Sequence, residues 1–252
     1  MWEDVILFAA VGFAAQVIDG ALGMAYGVTA STVLQSLGVT PSVASASVHA
    51  AEVFTTGASG AAHWRIGNVD RTLLRRLALA GVVGGAAGAF LLTTLPGSVI
   101  RPFVSAYLLV MGVLIIWRAV HRQPGDGASS PGTTPRHVAP LGLVGGFFDA
   151  IGGGGWGAMV TSTLIGRGVT PRLAIGSANL AEFFVTGVVT TTFLATIGVE
   201  LWPVIAGLVI GGVLAAPFAA LVTRSMPDRP LMLLVGAVIV LLSLRGLVQA
   251  FR

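Results

Sequence analysis

The chain has 252 residues, of which 55% are hydrophobic and 10% charged, against about 25% charged in ordinary soluble domains. With a mean hydropathy of +0.91, it carries too little charge to cover a water-facing surface and too many aliphatic residues to stay disordered. It has no cysteine for a disulfide scaffold, a thiolate metal site or thiol catalysis. What remains is an all-α, polytopic integral membrane protein whose first partner is the lipid bilayer. All 14 basic residues are arginine, so the pI near 11.0 reflects arginines at membrane boundaries and few acids. It does not indicate a nucleic-acid surface.

The chain begins Met1-Trp2-Glu3-Asp4. That stretch is acidic where a signal peptide is basic, so it reads as the start of the first membrane segment. Uncharged residues 5–18 form that segment, with a break expected at Asp19-Gly20. The next run, 20–48, is cut by Gly38-Val39-Thr40-Pro41, where a helix should start with Thr40 as N-cap and Pro41 in the first turn and run to about Trp64. Segments at about 73–95 and 102–120 follow. Residues 121–137, rich in Pro, Gly and Ser, read as a linker. Beyond it lie segments 138–148, 150–166, 171–198, 201–223 and 230–248.

The linker separates two copies of one unit. A shift of 130 lays residues 12–57 on 142–187 without a gap, and 16 of the 46 positions agree. The agreeing set includes Asp19/Asp149, Gly23/Gly153, Gly27/Gly157, the two Gly-Val-Thr-Pro turns, Glu52/Glu182 and Thr56/Thr186. Chance matching of apolar runs would favour Leu, Val and Ala. Duplicated units of this kind are the usual build of secondary transporters. The division expected is repeat 1 at 1–120, a cytoplasmic linker at 121–137 and repeat 2 at 138–252.

Arginine placement decides between parallel and inverted copies. If the first segment of each half crosses once, the richer side collects nine arginines and the other five. If it is a hairpin of two short helices followed by three crossings, the copies are inverted. One side then holds 11 arginines, and the other only Arg101, Arg245 and Arg252. Length agrees: residues 5–18 make about 21 Å of helix, short of a full span. Reporter fusions at Gly127 and Arg252 are therefore expected to report opposite faces, the linker inside; both inside would favour parallel copies.

Ionisable groups within membrane segments are costly and mark function by default. Four carboxylates form two matched pairs. Asp19 and Asp149 sit at the helix breaks, where exposed backbone N–H groups can bind an anion; simple capping is the bland reading, compatible with the first. Glu52 and Glu182 lie on polar stripes at helical spacing: Ser45, His49, Glu52, Thr56 and His63 on one helix, Asn179, Glu182, Thr186 and Thr190 on its twin. Facing one another, the stripes would line a central path; the bland alternative is interhelical hydrogen bonding. His49 aligns with Asn179, which rules out a symmetric metal pair with Glu52, so no metal is expected. His63 lies near a helix end and reads as interfacial. Tyr26 and Trp156 align just before Gly27 and Gly157 and either flank a substrate or pack. The run Gly152–Gly155 follows no strand and is no dinucleotide fingerprint. No phosphate-binding loop is present, so nothing points to an ATPase, and no cofactor is expected. An intramembrane aspartyl protease lacks its Gly-x-Gly-Asp signature here: Asp19 follows Val-Ile and Asp149 follows Phe-Phe.

Together the Gly-x6-Asp-x3-Gly-x3-Gly blocks (Gly12 to Gly27, Gly142 to Gly157), the Gly-Val-Thr-Pro turns and the following Ser-x4-Glu helices resemble the sulfite exporter TauE/SafE family of bacterial membrane permeases. The resemblance covers nearly the whole chain. It implies a multi-pass protein of the bacterial cytoplasmic (inner) membrane that moves a small sulfur-containing or organic anion, such as sulfite, sulfoacetate or another sulfonate, without ATP. Under that reading the substrate-binding set is Asp19, Gly23, Tyr26, Gly27, His49, Thr56, Asp149, Gly153, Trp156, Gly157, Asn179 and Thr186, with Glu52 and Glu182 coupling transport to protons. No arginine is expected inside a segment, so the anion would rely on half-helix N-termini, hydroxyls and His49. The rival reading takes the acids at face value, as a proton- or cation-coupled site for a cationic substrate. Homo-oligomerisation stays open.

Overall fold

The computed structural model describes residues 2–22, 24–121, 137–198, 202–225 and 228–250, and among them it is helical with no strand. In chain order the elements are α1 (Trp2–Leu22), α2 (Tyr26–Ser36), α3 (Pro41–Arg65), α4 (Arg71–Thr94), α5 (Gly97–His121), α6 (Val138–Gly152), a π-helical turn Gly157–Thr161, α7 (Ser162–Gly166), α8 (Pro171–Ile197), α9 (Trp202–Ser225) and α10 (Asp228–Ala250). The linker 121–137, apart from its two end residues, lies outside the described residues, as does Gly23.

Four described helices are long and apolar enough to cross a membrane: Arg71–Thr94, Gly97–His121, Pro171–Ile197 and Met232–Ala250. Their large side chains face outward. Leu79, Phe90, Val110, Trp117 and Leu241 are each more than half exposed, which suits lipid and not water. The polar helix α3 packs against α2, α8 and α9 and owes its lower hydropathy to the stripe it turns inward.

Inside the bundle, small residues replace large ones, because helices in lipid gain by close backbone approach and not by a hydrophobic drive. Gly81, Gly84, Gly85 and Gly88 lie on the buried face of α4, which packs on α6 at Gly142 and Gly146. A Cβ added at Gly142 would sit 2.8 Å from the Leu77 carbonyl oxygen; one at Gly12, its twin on α1, would sit 2.5 Å from the Leu208 carbonyl of α9. The two halves are interleaved: α1 packs on α9 and α6 on α4, while α3 packs on α8 and α5 on α10.

Sequence twins run in opposite directions. Gly57 of α3 meets Phe183 of α8, and Gly60 meets Leu180. Along α5 and α10, Ser105 approaches Gly246, Gly112 faces Ile239 and Ile116 faces Gly236.

Two expectations are corrected. The first break is not at Asp19-Gly20: α1 continues to Leu22 and α2 starts at Tyr26. A single Gly inside a helix costs only about 1 kcal/mol, so Gly20 does not stop it. With 21 residues, about 31 Å, α1 is not the short helix expected; α2, at 11 residues, is. The second break likewise falls after Gly152, at Gly153–Gly155, where φ is +70°, +137° and +134°. Thr40 does stand at the N-cap of α3, with Pro41 opening the helix, but its hydroxyl makes no capping bond.

Candidate functional site

Each aspartate lies in the last turn before its break and reaches across it. The Asp19 Oδ1 accepts from the Tyr26 backbone N–H at 3.2 Å, and the Asp149 Oδ1 accepts from the Trp156 N–H at 2.8 Å. Both links span seven residues. Each carboxylate thereby satisfies a backbone donor of the returning half-helix that the bilayer could not.

The two breaks cross at glycine. Gly27 lies so close to Gly154 that a Cβ on it would stand 2.5 Å from the Gly154 Cα and 2.8 Å from the Glu52 Oε1. The Ser31 hydroxyl donates to the Gly153 carbonyl and Tyr107 O–H donates to the Gly154 carbonyl at 3.0 Å. The π-helical turn follows directly, its first residue Gly157 facing the cavity; such turns recur at functional sites.

Beside this crossing is a cavity of about 260 Å³. Of the expected site residues, the structure brings Asp19, Tyr26, Gly27, Glu52, Thr56, Gly157, Asn179 and Glu182 to its wall. Glu52 and Glu182 are buried, and the Glu52 Oε2 has no hydrogen-bond partner. The Thr56 hydroxyl donates to the Glu52 carbonyl at 2.6 Å, and the Asn179 amide donates to the Ser59 hydroxyl at 2.9 Å. Expected as interfacial, His63 lines the cavity with Ser59 and Ile175, at the end where α3 finishes and α8 begins.

The remaining expected residues lie elsewhere. His49, Gly153, Trp156, Thr186 and Asp149 do not line the cavity. They belong to the region that the 130-residue shift makes its twin, and there the space is filled. His49 and Asp149 are both fully buried, with Nε2 and Oδ2 3.1 Å apart. The His49 Nδ1 donates to the Ser45 carbonyl at 2.8 Å while the Ser45 hydroxyl donates to the Ala150 carbonyl at 2.5 Å. Trp156 is sealed in, its indole N–H donating to the Ala178 carbonyl at 3.1 Å. Val189 and Phe193, twins of Ser59 and His63, complete the plug. Both oxygens of Asp149 are thus engaged, Oδ2 with His49 and Oδ1 with the Trp156 N–H.

One residue was not foreseen. Arg118, three residues from the end of α5, turns inward: its guanidinium donates to the Ala158 carbonyl at 2.6 Å and to the Ser162 hydroxyl, and lies 3.9 Å from the sulfur of Met24 on the cavity wall. It lies outside the aligned span 12–57, so the repeat gave no signal for it. Among the described residues no cluster of three or more metal-ligating side chains occurs.

A lipid-facing helical bundle with broken helices meeting at an acid-lined central cavity is the build of a membrane transporter. Residues 8–246 match the family described as "Sulfite exporter TauE/SafE". The chain is also 40% identical over 257 aligned positions to a protein of Bacillus subtilis (strain 168) named "Probable membrane transporter protein YtnM", covering 98% of this chain and 84% of that one. No solved structure matches it. The chain belongs to the sulfite exporter TauE/SafE family and is a membrane transporter of that type, with a small-molecule substrate.

Proposed function

We propose that the chain is a secondary permease of the bacterial cytoplasmic membrane that moves a small sulfur-containing or organic anion together with protons. It is built of two inverted-topology repeats, 1–120 and 138–252, joined by a cytoplasmic linker, 121–137. The antiparallel packing of sequence twins supports the inversion. The observation that carries the function is one cavity holding Asp19, Glu52 and Glu182 with no arginine among the described residues of its wall. Ionised together in a dry cavity, these acids would repel an anion and one another. Protonated, they become hydrogen-bond donors to an oxyanion, and the orphaned Glu52 Oε2 gains a partner. Arg118 adds positive charge just behind Met24. The cation reading keeps one argument: the Gln16 Oε1 in the same wall is also a buried acceptor without a partner.

Uptake of labelled sulfite or sulfoacetate into proteoliposomes, with and without a pH gradient, tests this. Accumulation that follows an inward proton gradient is expected; competition by organic cations with no flux of either anion would overturn it.

The filled twin region supports alternating access, with the central site now open at the α3 C-terminal end and plugged at the opposite end by Trp156, Val189, Phe193 and the His49–Asp149 pair. In this cysteine-free chain, Thr56→Cys is expected to react quickly with a membrane-impermeant thiol reagent supplied at the arginine-rich face, and to be protected by substrate. Thr186→Cys should react only from the other face, and only during turnover. Equal labelling of both from one face would remove the two-sided reading.

A further inference from the structure

A second polar pocket lies away from the central cavity and shares no lining residue with it. It sits between α2, α5 and α10, has a volume of about 50 Å³, and is lined by Gln35, Arg101, Ser105, Ser243, Arg245 and Gln249 among others. We propose that this pocket binds a tetrahedral oxyanion, a phosphate or sulfate group.

Charge is the first argument. No acidic residue lines the pocket, and neither Arg101 nor Arg245 has an ion-pair partner among the described residues. Arg101 and Arg245, both exposed, line one small space that has no carboxylate among its described lining residues, a setting that favours a ligand that is itself negative.

Unmet hydrogen bonding is the second. The Gln35 Nε2 and the Ser243 Oγ are buried and have no partner, and Ser243 is only 3% exposed. Buried polar atoms are nearly always paired, so two orphans in one small pocket point to a missing acceptor. The Gln35 amide, the Ser243 hydroxyl and the Arg101 and Arg245 side chains stand around this pocket as hydrogen-bond donors, the chemistry that an oxyanion requires. Gly246 keeps the floor open: a Cβ there would stand 2.9 Å from the Ser105 Oγ.

Placement is the third. Arg101 and Arg245 are two of the three arginines that the topology leaves on the arginine-poor face, against the usual bias. Their gathering in one pocket gives that exception a purpose. The volume admits one oxyanion group and no long acyl or alkyl body, so the ligand is either a free inorganic oxyanion or the phosphate of an anionic lipid whose tails stay in the bilayer.

Two arms separate these sources, using the full chain. In detergent, thermal unfolding is followed against inorganic sulfate, with chloride at equal ionic strength as control. In nanodiscs of phosphatidylglycerol or phosphatidylcholine, retained lipid is counted by native mass spectrometry after release. The variants are Arg101→Gln/Arg245→Gln and Ser243→Val. The double variant is expected to bind about tenfold more weakly in at least one arm, because two charge-assisted contacts are lost. Ser243→Val should weaken binding too, yet raise the melting temperature without ligand, because it removes a buried orphan. That opposite sign separates lost binding from lost folding. A response confined to sulfate identifies a soluble oxyanion; one confined to phosphatidylglycerol identifies a lipid headgroup. Wild type and both variants behaving alike in both arms overturns the site.

Discussion

Replacing Gly154 by alanine is expected to destabilise the chain by about 2 to 6 kcal/mol and to abolish transport. Two costs add. The Gly154 φ of +137° is a conformation that L side chains rarely adopt, and an added Cβ would run into the Gly27 backbone and stand 2.5 Å from the Val28 nitrogen. Neither neighbour can yield: Gly27 is held against Glu52, and Ser31 and Tyr107 bond the carbonyls on either side of the crossing. Gly187→Ala is the contrast. That glycine sits within α8 with nothing within 4 Å of its added Cβ, so the substitution should be neutral or stabilising by up to about 1 kcal/mol. Melting temperatures in detergent and flux in proteoliposomes read both. A Gly154→Ala protein as stable and active as Gly187→Ala would mean that the two breaks do not meet at the centre as described.

Much of the helix plan is legible in the sequence because glycine and proline punctuate it. The Gly-Val-Thr-Pro turns start α3 and α8 at Pro41 and Pro171, and the Pro/Gly/Ser stretch separates α5 from α6. The position of the break was readable too, though by a different rule. Gly20 aligns with Ala150 and so cannot mark a shared turn, whereas Gly23 aligns with Gly153, whose left-handed conformation ends α6. Arg118 was hidden because a side chain that long can start near a helix end and still reach the interior.

The division of the site into an open half and a sealed half has a different cause. A duplicated sequence places matching motifs in both halves; Asp19 and Asp149, or Tyr26 and Trp156, stand at equivalent places. One structure holds one arrangement, in which Asp19 lines space and Asp149 is locked to His49. The differences between the repeats include residues at these ends: His49 against Asn179, Phe193 against His63, Val189 against Ser59. The sequence therefore carries an asymmetry between the two faces, but not which of them is open.

Converting Glu52 or Glu182 to glutamine is expected to separate exchange from coupling. Both side chains line the cavity and pair with each other under the repeat, so in the proposed two-faced transporter they would serve either face. Glutamine keeps the shape and imitates the protonated acid, so the variant should still bind substrate and exchange it one for one across the membrane. Net flux should lose its response to a pH gradient, because the proton that must leave on one side is no longer exchangeable. Asp19→Asn and Asp149→Asn should behave differently. Each aspartate accepts the N–H of the returning half-helix, and a neutral amide oxygen accepts it less strongly. Asp149→Asn also removes the carboxylate that faces the buried His49 Nε2. These two variants should therefore weaken substrate binding and lower thermal stability, Asp149→Asn the more of the two. The measurements are counterflow and gradient-driven uptake in the same liposomes, beside melting temperatures. If both glutamine variants keep wild-type gradient dependence, the glutamates are packing groups and the proton path must run elsewhere, with the His49–Asp149 pair as the next group to test.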